Sequence, residues 1–130
     1  MKKFFHKKYV ILIFSRPNSS RLLEKYRKKV HSYDLIEIPI IRLKNYFSNK
    51  MIKLCVPTEH VDKYNVYSKR HNIEIFHGPE EDVMKRIKYN INDYDYFIRV
   101  TGDDPLTSPE LIYKFIKKAR VKKYDYILSI

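Results

Sequence analysis

The chain has 130 residues, a length that allows one domain with a packed core. Hydrophobic residues make up 44% of the chain and aromatic residues 15%, which excludes an intrinsically disordered protein. The single cysteine, Cys55, excludes an internal disulfide and a cysteine-rich zinc site, and it indicates a reducing, cytoplasmic setting.

Positive charge is concentrated near the N-terminus. The net charge is +12, and residues 1–30 contribute +9 of it from ten Lys or Arg and one acid. This block favours a polyanionic partner such as nucleic acid, an anionic membrane surface or nucleotide phosphates, with solubility alone as the alternative. The apolar run Tyr9–Phe14 has six residues. Because a secretory signal needs about 7–15 apolar residues and a membrane span about 20, we predict a buried strand here and no membrane partner.

Short apolar runs recur along the chain and predict strands. Runs this continuous are typical of parallel strands that are covered on both faces. The five predicted strands are Tyr9–Phe14, Met51–Val56, Ile73–Phe76, Tyr96–Val100 and Tyr126–Ile130.

Two helices are predicted in the first half of the chain. Asp34 followed by Glu37 forms a capping-box pattern, and Pro39 is expected to kink this helix or delay its start. Apolar and aromatic side chains at three-residue spacing over Val61–Tyr67 predict the second helix.

Two more helices are predicted in the second half. Pro79–Glu81 is interpreted as the first turn of a helix whose apolar residues, Val83, Ile87 and Ile91, recur every four positions. Ser108 is predicted to be the N-cap of the last helix. The alternating order of strands and helices predicts an α/β sandwich with a mainly parallel sheet.

Ligands of such sheets bind beyond the carboxyl ends of the strands, so the turns there are the candidate sites. The turn at residues 15–25 combines cations with hydroxyl and amide side chains, a mixture that suits phosphate oxygens; a solvated basic loop is the alternative. The turn at residues 99–106 contains Asp103 and Asp104, and paired acids suit Mg²⁺. An ordinary Gly-Asp and Asp-Pro turn is the alternative here.

Three segments, taken in order, resemble the sugar-acid cytidylyltransferase family, which includes acylneuraminate, 3-deoxy-manno-octulosonate and spore coat polysaccharide types. Residues 15–25 match the loop pattern A-R-x-G-S-x-R-L-P-x-K, although Asn18 replaces the Gly of that loop, and Leu23 and Glu24 replace a Pro and the Gly after it. Residues 76–83 resemble F-R-G-S-x-x-D-V-L, and residues 99–112 resemble R-x-T-G-D-x-P-L-x-x-P-E-L-I. The resemblance covers residues 9–130.

The resemblance implies a single nucleotidyltransferase-like domain over residues 1–130, with a Rossmann-like three-layer sandwich of the nucleotide-diphospho-sugar transferase type. It implies transfer of CMP from CTP to a sugar acid for surface polysaccharide or glycoconjugate biosynthesis. The implied nucleotide-binding residues are Arg16, Asn18, Ser19, Arg21, Lys25 and Thr101. The implied catalytic residues are Arg16, Lys25 and Asp103, with Asp103 as the ligand of Mg²⁺.

The resemblance is to the N-terminal half of the family, so we expect a truncated enzyme. A homodimer or a partner chain would then supply the missing half. Two alternatives stay open: a non-catalytic relative that binds nucleotide or a partner protein, and a basic nucleic-acid-binding domain. The nucleic-acid-binding alternative ranks last because no recognition helix or RNA-binding motif accompanies the positive charge.

Overall fold

The computed structural model describes residues 8–17 and 23–121. Its strands are β1 (Tyr9–Phe14), β2 (Lys29–Val30), β3 (Tyr33–Asp34), β4 (Ile52–Pro57), β5 (Glu74–Gly78) and β6 (Tyr96–Thr101). Its α-helices are α1 (Glu37–Lys44), α2 (Val61–His71), α3 (Val83–Lys88) and α4 (Pro109–Val121), and short 3₁₀ turns cover Lys25–Arg27, Asn49–Met51 and Thr58–His60.

Four strands pair in parallel in the order β5–β4–β1–β6, whereas β2 and β3 form a small antiparallel ladder. Strand β1 lies inside the sheet, where Ile11 is the partner of Ile52 on one side and of Ile98 on the other. The chain runs from β1 outward through β4 to β5 and then returns to β6 on the opposite side of β1. This reversal opens a crevice between the carboxyl ends of β1 and β6, where ligands of such sheets bind.

Both faces of the sheet are covered, which gives the three layers of a Rossmann-like α/β sandwich. On one face, α1, α2 and α4 pack on the larger apolar cluster, to which Ile40, Tyr64 and Ile116 contribute. On the other face, α3 packs through Ile87 on a smaller cluster around Leu12. Within the described ranges, no helix is long and apolar enough to cross a membrane.

The predicted strands agree closely with the structure for four of the five apolar runs. Strand β1 has the predicted bounds, and the ends of β4, β5 and β6 lie within two residues of the predicted ones. The fifth predicted strand, Tyr126–Ile130, lies outside the described residues.

The predicted capping box is only half formed. Glu37 accepts a hydrogen bond from the Asp34 amide at 3.1 Å, as such a box requires. The Asp34 carboxylate does not cap the helix, because it accepts from the Tyr67 hydroxyl at 2.6 Å and pairs with Lys29 at 2.7 Å. Helix α1 therefore begins at Glu37, with Pro39 in its first turn, where a missing amide hydrogen is tolerated.

The predicted start of the third helix is wrong. Helix α3 begins at Val83, with Asp82 as its N-cap accepting from the Lys85 amide at 3.0 Å, and Pro79–Glu81 precede it. Ile91 lies beyond the C-terminal end of this helix. By contrast, Ser108 caps α4 as predicted, accepting from the Leu111 amide at 3.2 Å.

A buried carboxylate joins α1 to α2. Glu37 is 1% exposed, and besides the Asp34 amide it contacts Arg70 Nη1 at 2.8 Å and His71 Nε2 at 2.6 Å. Burial alone would raise the pKa of the Glu37 carboxyl, but these three hydrogen bonds outweigh it and hold the pKa below its ordinary value.

We expect Glu37→Ala to lower the free energy of unfolding by about 3 kcal/mol, because it leaves the buried His71 without its carboxylate and also removes the ion pair with the half-exposed Arg70. Urea denaturation of this variant, beside the exposed-acid control Glu81→Ala, measures the loss. Equal stability of the two variants would contradict this role for Glu37.

The same carboxylate makes stability depend on pH. Its folded-state pKa lies below the ordinary value of 4.5, so its contribution is complete above about pH 4.5 and is lost as the pH falls through the folded-state pKa. We expect unfolding free energies measured from pH 6 to pH 3 to decline less steeply in Glu37→Gln than in the wild type. The pKa of Asp34 is also below its ordinary value, so protonation of Asp34 causes part of the decline of unfolding free energy in both proteins.

Candidate functional site

A cleft of about 450 Å³ opens at the carboxyl ends of β1 and β6. Four cations line it, Arg16, Lys25, Arg86 and Arg99, against two acids, Glu80 and Asp103. The other lining residues are Phe14, Ser15, Tyr26, Val83, Thr101 and Gly102. This surplus of positive charge in a concave surface favours an anionic ligand.

Hydrogen bonds hold the two turns of the cleft against the ends of the central strands. The Gly102 amide donates to the Phe14 carbonyl at 2.8 Å, and the Ser15 amide donates to the Cys55 carbonyl at 3.2 Å. A Cβ atom at position 102 would lie 2.9 Å from the Phe14 oxygen, so only glycine allows this approach. The contact brings the acidic turn after β6 beside the basic turn after β1.

The two neighbouring acids of the second turn have different roles. Asp104 is a turn residue, since its Oδ1 accepts from the Leu106 amide at 3.0 Å. Asp103 lines the cleft, and its Oδ2 lies 3.1 Å from Lys25 Nζ. The two side chains of this ion pair are 44% and 43% exposed, so the carboxylate and the amine are both accessible to an incoming ligand.

The backbone at Glu24 sets the position of Lys25. Glu24 has φ 51° and ψ 41°, in the left-handed region, and its amide donates to the Pro17 carbonyl at 2.7 Å. The Glu24 carboxylate pairs with Arg27 and Lys63 and does not line the cleft. Its negative charge is therefore neutralised away from the site.

Tyrosine side chains support the wall of the cleft. The ring centroid of Tyr26 lies 4.8 Å from that of Tyr64, whose hydroxyl is 2.8 Å from Ser15 Oγ. Burial raises the pKa of Tyr64, so its hydroxyl keeps its proton at neutral pH. This contact anchors the start of the first turn to α2.

The structure brings four of the predicted site residues to one cleft: Arg16, Lys25, Thr101 and Asp103. The other three, Asn18, Ser19 and Arg21, lie outside the described residues. Sequence reasoning did not include Arg86, Glu80 or Tyr26 in the site. A signal existed for Arg86, a cation on the same helical face as the apolar Val83 and Ile87.

A second group of side chains that could ligate a metal includes Glu80, which lines the cleft. Glu59, His60 and Glu80 each offer an atom within 4.8 Å of the others. Glu59 and His60 precede α2, and the positive end of a helix dipole favours negative charge there without an ion. The helix dipole therefore explains the position of Glu59 without a bound metal.

Comparisons with known proteins identify relatives of this architecture. A family model described as cytidylyltransferase matches residues 10–130. An uncharacterized protein of Methanocaldococcus jannaschii is 33% identical in an alignment 126 residues long, which covers 92% of this chain and 51% of that protein. The chain thus spans about half the length of this curated relative.

Solved structures share the fold. A cytidylyltransferase from Leptospira borgpetersenii superposes with a TM-score of 0.78 at 24% identity, covering 87% of this chain and 49% of that one. A CMP:2-keto-3-deoxy-manno-octonic acid synthetase, solved in complex with CTP, superposes with a TM-score of 0.71 at 18% identity, covering 88% and 48%. These structures confirm the predicted Rossmann-like architecture, and the family model, which extends over nearly all of the sequence, shows that the chain belongs to the cytidylyltransferase family.

Proposed function

We propose that this protein transfers CMP from CTP to a sugar acid, a step that supplies activated sugar for surface polysaccharide or glycoconjugate synthesis. The observation that carries the proposal is the Lys25–Asp103 pair, which lies in a cationic cleft at the crevice between β1 and β6. Family membership supports it, as does the CTP complex of the synthetase that shares this fold.

The cations of the cleft are suited to the triphosphate. Arg16 is exposed, and Lys25 is half-exposed, so both can reach phosphate oxygens. An arginine offers a planar fork of donors, and a lysine offers a compact point charge. In this proposal the two side chains hold the phosphates, and Thr101 at the end of β6 contributes a hydroxyl.

Asp103 is suited to a magnesium ion. Its carboxylate is a hard oxygen donor at the mouth of an anion-binding cleft, and it already holds a cation, the Lys25 amine, at 3.1 Å. A bound magnesium ion would neutralise charge on the phosphate oxygens. The arrival of a phosphate next to Lys25 would give the amine a new partner and would free Asp103 for the metal.

The reaction we propose is a displacement at phosphorus. A hydroxyl of the sugar acid attacks the α-phosphorus of CTP, a new P–O bond forms, and the bond to pyrophosphate breaks while the hydroxyl proton passes to solvent. Positioning and charge neutralisation provide most of the catalysis in such transfers. Both tasks fall to the cations of the cleft and to the carboxylate of Asp103.

We expect Asp103→Asn to reduce pyrophosphate release by about 100-fold or more, because the variant keeps the side-chain shape and loses the charge that binds the metal. The assay contains CTP, Mg²⁺ and a panel of sugar acids. Asp104→Asn is the matched control, since an asparagine oxygen can still accept the Leu106 amide, and it should retain activity. Chelation of the metal should abolish the reaction in every variant.

The outcomes of this assay separate the alternatives. Turnover that is equal in the wild type and Asp103→Asn would contradict the assigned role of Asp103. Absence of turnover with every acid, together with measurable CTP binding, would favour the non-catalytic relative that binds nucleotide.

We expect Lys25→Met to weaken CTP binding by about 10-fold, because one charge-assisted hydrogen bond to phosphate is lost. Isothermal titration calorimetry with CTP measures the change. Lys28→Met, an exposed lysine just beyond the same 3₁₀ turn, is the control and should bind CTP like the wild type. Similar affinities of both variants would exclude Lys25 from the phosphate site.

A further inference from the structure

Arg86 is a buried cation that pairs with no acid in the part of the chain that the structure describes. The residue is 3% exposed, although it lines the cleft. Among residues 8–17 and 23–121, no carboxylate oxygen lies within 4.0 Å of its guanidinium. Glu80, which also lines the cleft, contacts Arg86 through its backbone carbonyl and not through its carboxylate. A buried charge without a counter-charge is strongly unfavourable unless something else supplies one.

The guanidinium is held in a defined orientation. Its Nε donates to the Pro79 carbonyl at 3.2 Å, and its Nη2 donates to the Glu80 carbonyl at 3.0 Å. These two bonds use two of the five N–H donors of an arginine. Carbonyl dipoles orient the group but do not cancel its full charge.

The backbone around Arg86 is packed so closely that the position cannot easily adjust. A Cβ atom on Gly78, at the end of β5, would lie 2.6 Å from the Arg86 Cα. Glycine at this position lets α3 approach the end of the strand. The side chain of Arg86 is therefore fixed at the cleft wall by its own helix and by the 79–80 segment.

We infer that Arg86 is an anion-binding residue of the cleft, and that its remaining donors bind an oxyanion of a substrate. Under the proposed function, on which this inference rests, two oxyanions are available: the phosphates of the nucleotide and the carboxylate of the sugar acid. Both offer paired oxygens that match the fork of a guanidinium. The bound substrate would then provide the counter-charge that none of the described carboxylates provides to Arg86.

The experiment measures binding of four probes by calorimetry: CTP, tripolyphosphate, 2-keto-3-deoxy-manno-octonic acid and uncharged cytidine. The variants are Arg86→Gln, which removes the charge, and Arg86→Lys, which keeps the charge without the fork. Lys88→Met, an exposed lysine on the same helix, is the control. We expect Arg86→Gln to weaken the binding of one class of anion by about 10-fold or more and Arg86→Lys to weaken it less. Neither variant should change the binding of cytidine.

The pattern across the probes identifies the ligand. Weaker binding of tripolyphosphate and CTP assigns Arg86 to the phosphates, whereas weaker binding of the sugar acid alone assigns it to the carboxylate. Unchanged affinity for all three anions would overturn the inference. A parallel loss of cytidine binding would also overturn it, since that result means that Arg86 only supports the shape of the cleft.

Folding and activity are measured separately from these affinities. If thermal unfolding shows that Arg86→Gln does not fold, the ratio of anion to cytidine affinity in Arg86→Lys decides the question. Because tripolyphosphate binding needs no turnover, its loss supports the inference even in a protein that releases no pyrophosphate. Turnover in the wild type combined with unchanged anion affinities would refute the role of Arg86 alone.

Discussion

The pairing of β1 on both sides is the constraint from which the rest of the site follows. Its inner residues Val10–Ile13 are fully buried, and this strand pairs in parallel with β4 and with β6. Parallel strands end at the same edge of a sheet, so the turns after β1 and β6 must be neighbours. The hydrogen bond from Gly102 to Phe14 then brings these turns together at backbone distance. A basic loop and an acidic turn, whose paired residues Lys25 and Asp103 are 78 positions apart in the chain, thus form one site.

Charge in this site is balanced only in part. Asp103 pairs with Lys25, while Arg86 of the same cleft has no carboxylate within 4.0 Å among the described residues. Such a cleft favours the binding of an anion, because one of its guanidinium groups is already shielded from water. This arrangement also gives a physical account of part of the basic composition of the N-terminal residues. Arg16 and Lys25 belong to that block, and both line the cleft.

The sequence predicts the sheet better than it predicts the helix boundaries. Continuous apolar runs identify β1 and β4, which are buried along their whole length, because a strand covered on both faces has few polar residues. The predicted start of α3 is wrong because proline and acids are typical of a first helical turn. In the structure Asp82 provides the cap, and the Pro79 and Glu80 carbonyls before it accept from Arg86. That interaction joins residues six and seven positions apart through a side chain, and periodicity carries no information about it.

For the site, too, the sequence predicts some features and not others. Motif order predicts Lys25 and Asp103, but it does not predict that they pair with each other, because their contact depends on the strand order and not on spacing along the chain. The composition of the turn, two adjacent acids, does not separate Asp103 from Asp104; the resemblance implies Asp103, and the structure shows that the Asp104 carboxylate accepts from the Leu106 amide. Tyr26 lies between Lys25 and Arg27 in the sequence, a context typical of an exposed residue, yet it is buried against Tyr64.

The departure from the family pattern at Glu24 changes the side chain more than the backbone geometry. The resemblance places a glycine at the position of Glu24, and the backbone there has the left-handed conformation that glycine adopts most easily. A non-glycine residue in this region costs about 1 kcal/mol, which the ion pairs of Glu24 with Arg27 and Lys63 help to offset. The same pairs direct the carboxylate away from the cleft. The turn that positions Lys25 is thus retained, and the added negative charge stays outside the space that a phosphate would occupy.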